Sequence, residues 1–222
     1  MTYSAFSLEG RQMHANTCIF KVVAIFFVIL AVGCTQQHVD GERAPGSASF
    51  KVVEATIADI QKAINEGHTS CRSVVQSYLE RIKFYDQSTG LNAITVINNN
   101  ALKRAEEIDS AINRGDEPGL LYCAPILVKD NYDTHDLPTT AGSIALKDNY
   151  PLDDAYMVKK LRQADAIVIA KTNMAEWAFS PRETTSSSYG TTANAYAMDR
   201  VPTGSSGGTA SAVAASFGVA GM

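Results

Sequence analysis

Two short apolar runs, Ala124 to Val128 and Ala166 to Ala170, constrain this chain more than any other feature. Each has the length of a buried strand, and each stands among segments of helical period. Ile57, Ile60, Ala63 and Ile64 follow Thr56 and precede Gly67, the mark of an N-capped helix with a glycine stop. Val74, Val75, Tyr78, Leu79 and Ile82 form the stripe of a second helix, capped by Thr69 or Ser70. Both helices read as packing elements. Leu91 to Ile97 is β-branched and alternating, so a strand is expected there. Leu102, Ala105, Ile108 and Ile112 share one face of a helix over Ala101 to Asn113, and Ala155 to Gln163 is a further helix. Strands that alternate with helices predict an α/β fold, with a mixed, mostly parallel sheet flanked by helices.

Composition excludes some functions. With 45% hydrophobic and 19% charged residues the chain can bury a core. A net charge of −4, with no Lys/Arg run, speaks against nucleic acid as a partner. Cys18, Cys34, Cys71 and Cys123 include no C-x-x-C pair, and His14, His38, His68 and His135 are scattered. A structural zinc site and a histidine-based triad are both disfavoured, and no metal or organic cofactor is implied.

The first residues read as an address. A polar stretch from Met13, with His14 and Lys21, precedes the apolar run Val22 to Val32, which meets Ala31-Val32-Gly33-Cys34. The run is shorter than the roughly 20 apolar residues that span a bilayer. Residues 1–34 are therefore expected to be a signal peptide with a lipobox-like end, cleaved before Cys34 so that its thiol takes a lipid. An uncleaved anchor and a plain secretory signal are the alternatives, and Met1 and Met13 both serve as possible starts. Residues 35–54 look like a tether, and 55–222 form the folded part. This reading exports the protein to the periplasm or cell envelope, with membrane contact only through the signal or the lipid.

The region from Glu176 to Asp199 reads as a long loop, the kind that is functional or disordered. Trp177 and Phe179 are either an apolar wall of an entrance there or, the reading preferred here, packing residues. Gly204-Ser205-Ser206-Gly207-Gly208 then opens a helix of small residues from Thr209 to Ala215. Such a loop could cradle an anion, act as a flexible connector, or present a hydroxyl where glycines permit unusual dihedrals. It lacks the lysine of a P-loop and the spacing of a Gly-x-Ser-x-Gly elbow. Lys129 follows the apolar Pro125 to Val128. Partial burial there would lower its pKa and make a neutral amine available as a base; it could equally reach solvent or pair with Asp130.

Four blocks change the weighing. Leu127-Val128-Lys129-Asp130-Asn131-Tyr132-Asp133-Thr134, Leu137-Pro138-Thr139-Thr140-Ala141-Gly142-Ser143, Ala170-Lys171-Thr172-Asn173-Met174-Ala175-Glu176-Trp177 and Asp199 to Gly208 resemble, in order and spacing, the amidase-signature family over roughly residues 55 to 222. The resemblance implies the amidase-signature fold and a Ser-cisSer-Lys triad that hydrolyses a small-molecule carboxylic amide. Lys129 matches the base and Ser205 the bridging serine, with a cis Gly204–Ser205 peptide. Gly204, Ser206, Gly207 and Gly208 would support the loop.

The implied chemistry is acyl transfer to a serine about two dozen residues beyond Ser205, in a Gly-rich segment that also supplies the oxyanion hole. The sequence ends at Met222, short of that segment, and Ser211 and Ser216 lie in the wrong context to replace it. The expectation is thus an N-terminal fragment, incomplete at its C-terminal side and inactive by itself. Two other readings are the amidase subunit of a glutamyl-tRNA(Gln) amidotransferase, which the apparent export signal opposes, and a non-catalytic envelope lipoprotein.

Overall fold

The computed structural model describes residues 50–222. The signal-like segment, Cys34 and most of the expected tether lie outside them. Val52 is already buried, and its carbonyl accepts the Tyr78 hydroxyl at 3.1 Å, so the end of the expected tether belongs to the packed body.

Helix α1 spans Ile57–Asn65. Thr56 and Asp59 cap it reciprocally: Thr56 Oγ1 accepts the Asp59 N–H, and the Asp59 carboxylate accepts the Thr56 N–H. Helix α2, Cys71–Tyr85, is capped by Ser70 and buries Val74, Val75, Tyr78 and Ile82. Strand β1, Ile94–Ile97, leads through a short turn into α3, Ala101–Asn113. Strand β2, Pro125–Lys129, is buried along its whole length, as is β3, Ile167–Thr172, which follows α4, Tyr156–Gln163. A minimal hairpin of β4 (Thr185–Ser186) and β5 (Gly190–Thr191) interrupts the long loop; α5 (Gly207–Ala214) and β6 (Ala220–Gly221) follow.

The main sheet has the order β1-β3-β2-β6. Strand β2 runs parallel to both β3 and β6, and β1 is antiparallel to β3. This is the mixed, mostly parallel sheet that the alternation of elements predicts. Complete burial of β2 and β3 explains why they read as unbroken apolar runs: each face is covered. Leu127, Ile167 and Ile169 pack with the stripes of α2 and α3 and with Ala212 of α5. Ile126, Val128 and Val168 face Val158 of α4 and Leu137. Lys129 sits opposite Thr172 in the register and Val128 opposite Lys171, so the two lysines emerge on opposite faces.

Cys71, the first residue of α2, is bonded to Cys123 just before β2, with Cα atoms 5.4 Å apart. Both are fully buried. The bond ties the outer helical layer to the strand that ends in Lys129. Among the described residues no helix is long and apolar enough to cross a membrane.

Candidate active site

Lys129 is the last residue of β2, and the sheet fixes its backbone. Its N–H donates to the Met222 carbonyl at 2.9 Å and its carbonyl accepts the Tyr132 N–H at 3.1 Å. The residue is 7% exposed. Its Nζ lies 2.7 Å from Ser205 Oγ and 2.8 Å from Ser206 Oγ. The structure thus brings together three of the residues singled out in the sequence. Burial holds the Lys129 pKa below its ordinary value, which favours the neutral amine.

Asp130, the alternative partner for Lys129, points elsewhere. Its carboxylate accepts the Thr140 N–H at 3.1 Å, also takes the Thr140 hydroxyl, and stands 3.7 Å from Lys171 Nζ. Lys129 therefore meets hydroxyls where it could have met a carboxylate, and its proton is not held by an ion pair.

The glycine loop is shaped by close approach. The Gly204–Ser205 peptide is cis. Gly204 N–H donates to the Pro181 carbonyl at 3.1 Å, and the Ser205 carbonyl accepts the Ala175 N–H at 3.0 Å. A Cβ at Gly204 would collide with the Ser180 and Glu183 carbonyls, and one at Gly208 with the Asn173 backbone. Gly207 N–H donates to Thr184 Oγ1 at 3.0 Å, and a Cβ there would strike the Thr184 side chain. Of the three readings open for this loop, a flexible connector does not describe a segment gripped on both sides. Ser206 is the N-cap of α5 but makes no side-chain cap bond, its hydroxyl being turned to Lys129.

Ser211 and Ser216 do not reach this cluster. Ser211 Oγ donates to the Ala193 carbonyl at 2.7 Å, and Ser216 Oγ accepts the Glu54 N–H at 3.1 Å. Trp177 and Phe179 depart from the packing role read for them: they are 57% and 90% exposed. Trp177 has a left-handed backbone, φ 53°, while its N–H donates to the Ala141 carbonyl at 2.9 Å. The stretch of chain that grips the Ser205 carbonyl therefore carries two exposed aromatic rings.

Sequence reasoning missed Lys171 and the hydroxyl pair Thr172–Thr209, whose Oγ atoms are 2.6 Å apart across β3 and α5. A lysine directly after an apolar strand run was the available signal for Lys171, the same one that marked Lys129. His135, Asp136 and Asp154 cluster closely enough to suggest metal ligands. Arg162, however, binds Asp136 at 2.6 Å and Asp154 at 3.1 Å, and His135 Nδ1 is 2.9 Å from Asp154. A guanidinium already engages both carboxylates, so this group is an ion-pair network that fastens the loop after β2 to α4.

A parallel-centred sheet that delivers a buried lysine to a Gly-Ser-Ser-Gly-Gly loop defines a class of protein: the chain belongs to the amidase family, whose model matches residues 73–222. It is 43% identical over 169 residues to a glutamyl-tRNA(Gln) amidotransferase subunit of Alkaliphilus metalliredigens, covering 76% of this chain and 34% of that one. Among solved structures, peptide amidase from Stenotrophomonas maltophilia is similar at 39% identity and a TM-score of 0.71, over 74% of this chain and 35% of its own. An amidase family protein from Bacillus anthracis str. Ames aligns at 38% identity and a TM-score of 0.70, over 76% and 34%. The chain spans about a third of the length of the curated relatives it matches.

Proposed function

We propose that the whole protein hydrolyses a carboxylic amide by acyl transfer to serine, with Lys129 as base and Ser205 as proton bridge. The observation that carries this is the 2.7 Å approach of Lys129 Nζ to Ser205 Oγ, without a carboxylate on the amine. Neutral Lys129 takes the Ser205 proton while Ser205 takes one from the nucleophilic serine, which attacks the amide carbon. Backbone N–H groups stabilise the oxyanion. The relay then reverses, Lys129 giving a proton back to Ser205 and Ser205 giving one to the leaving amine, and water, deprotonated along the same path, releases the acid. Ser206 holds Lys129 in line from the other side, and Trp177 and Phe179 form an apolar wall beside the bridging serine.

We also read the protein as exported, with residues 1–34 as signal peptide and Cys34 as lipid attachment point. The buried Cys71–Cys123 bond supports this reading, since such bonds persist mainly in oxidising compartments. Likeness to amidotransferase subunits favours a second reading, a cytosolic subunit that acts in a complex.

Two assays separate these. Incubation of the whole protein with peptide amides should release acid, and Ser205→Ala should abolish it; release unchanged by Ser205→Ala removes the proposal. Fractionation of cells should put the protein in the envelope with a mass that starts at a lipidated Cys34. A soluble cytosolic pool co-purifying with tRNA-linked partners would favour the second reading.

A further inference from the structure

Among the described residues Lys171 is the largest charged side chain buried without exposure, and the chemistry above does not use it. It lies on the face of the sheet opposite Lys129, yet every hydrogen-bond partner of its amine belongs to the chain that leaves Lys129. Its Nζ is 2.8 Å from the Tyr132 carbonyl, 2.8 Å from Thr139 Oγ1, 3.2 Å from the Pro138 carbonyl and 3.3 Å from Thr134 Oγ1. Both threonine hydroxyls give their own protons away, Thr134 to the Leu137 carbonyl and Thr139 to the Tyr132 carbonyl. They are therefore acceptors toward Lys171. Two carbonyls, two committed hydroxyls and the nearby Asp130 carboxylate are all acceptors, so the three protons of an ammonium serve this cage better than the two of a neutral amine.

The tie reaches Lys129 in two bonds. Tyr132 presents its carbonyl to Lys171 and its N–H to the Lys129 carbonyl, closing the turn in which Lys129 sits. The next turn is pinned at Pro138 and Thr139.

We propose that Lys171 is a positioning residue for Lys129, its ammonium fixing the turn that aims the Lys129 amine at Ser205. The inference rests on the assignment of Lys129 as base. Burial lowers the Lys171 pKa to about 8, against the opposing pull of Asp130, Asp133 and Asp136, so the group stays largely charged at neutral pH. One lysine meets two serine hydroxyls and the other a cage of oxygens, on two adjacent strands.

The test reads Lys129 directly. Pulse acetylation with acetic anhydride across pH, followed by mass spectrometry, gives the labelling midpoint of Lys129 whether or not the protein hydrolyses amides. Lys171→Met, Lys171→Arg and Thr139→Val are compared with the unaltered protein, each checked for a cooperative melt. All three should raise the Lys129 midpoint and widen its access to reagent, Thr139→Val least. In the hydrolysis assay kcat should fall several-fold with KM little changed. A Lys171→Arg protein with the original midpoint would show that charge alone matters and would overturn positioning. An unchanged midpoint in Thr139→Val would do the same, and that variant decides the matter should both Lys171 replacements fail to fold. Absence of hydrolysis in the unaltered protein, with the midpoints moving as described, would overturn the proposed reaction and leave the positioning role standing.

Discussion

Lys129 Nζ and Ser205 Oγ stand 2.7 Å apart, although 76 residues separate them in the chain. The contact is made by the sheet and by the loops that clamp Gly204 to Gly208. Lys129 is carried by a strand buried on both sides, and Ser205 by a loop whose glycines admit the backbone of Ser180 and Asn173.

Replacing Lys129 by Met should leave the fold intact and lower kcat/KM of the whole protein by about 10²–10⁴-fold, the usual contribution of a positioned base. Because burial holds this amine below 10.5, the neutral fraction grows as pH rises through the lowered pKa. The rate should rise over that range and the variant should lose the limb. A pH–rate profile of both proteins checks this; the same limb in both would exclude Lys129 as the titrating group.

Breaking the Cys71–Cys123 bond should destabilise the protein by about 4 kcal/mol, the chain-entropy value for a loop of this size. Denaturant titration with and without reductant measures it, and a non-reducing peptide map should recover the two cysteines as one linked species. A Cys123→Ala protein as stable as the original would contradict the expectation.

Gly208→Ala places a methyl group against the Asn173 backbone, which cannot yield as a side chain could. A loss of about 1–3 kcal/mol is expected, as for an overpacked core. Thermal melts of Gly208→Ala and of Gly90→Ala give the comparison: a Cβ at Gly90 meets nothing within 4 Å, so its only cost is the left-handed backbone, φ 78°.

Lys171 makes stability depend on pH in a stated direction. Its pKa falls from 10.5 in the unfolded chain to about 8 in the fold, so between these values the unfolded state binds more protons. Stability should therefore rise with pH across that window, by on the order of 3 kcal/mol at full effect, and be lowest below pH 8. Melting temperatures from about pH 7 to pH 10.5 for the original and Lys171→Met proteins test it, the slope being absent in the variant.

Much of the architecture is legible in the sequence because it rests on local period and on caps. Thr56 and Ser70 cap the helices that their positions announce, and α3 spans Ala101–Asn113 as its apolar face requires. The runs at 124–128 and 166–170 become β2 and β3 with their boundaries moved by one or two residues, because the polar Lys129, Lys171 and Thr172 extend strands whose pattern ends at the last apolar residue. Trp177 and Phe179 stand exposed among the described residues, since hydrophobic character says nothing about which way a loop turns a ring.

The sequence by itself determined the elements and their order, and through its four blocks it named Lys129 and Ser205 as a pair. Tertiary structure alone decided what each polar group faces. The register of β2 on β3 sends Lys129 to the serines and Lys171 to the loop carbonyls, so adjacent strands hold two lysines in different surroundings. It also decided that Asp130 serves Thr140 and Lys171, and that Cys71 meets Cys123 across 52 residues. These outcomes depend on long-range pairing and on burial, quantities with no period along the chain.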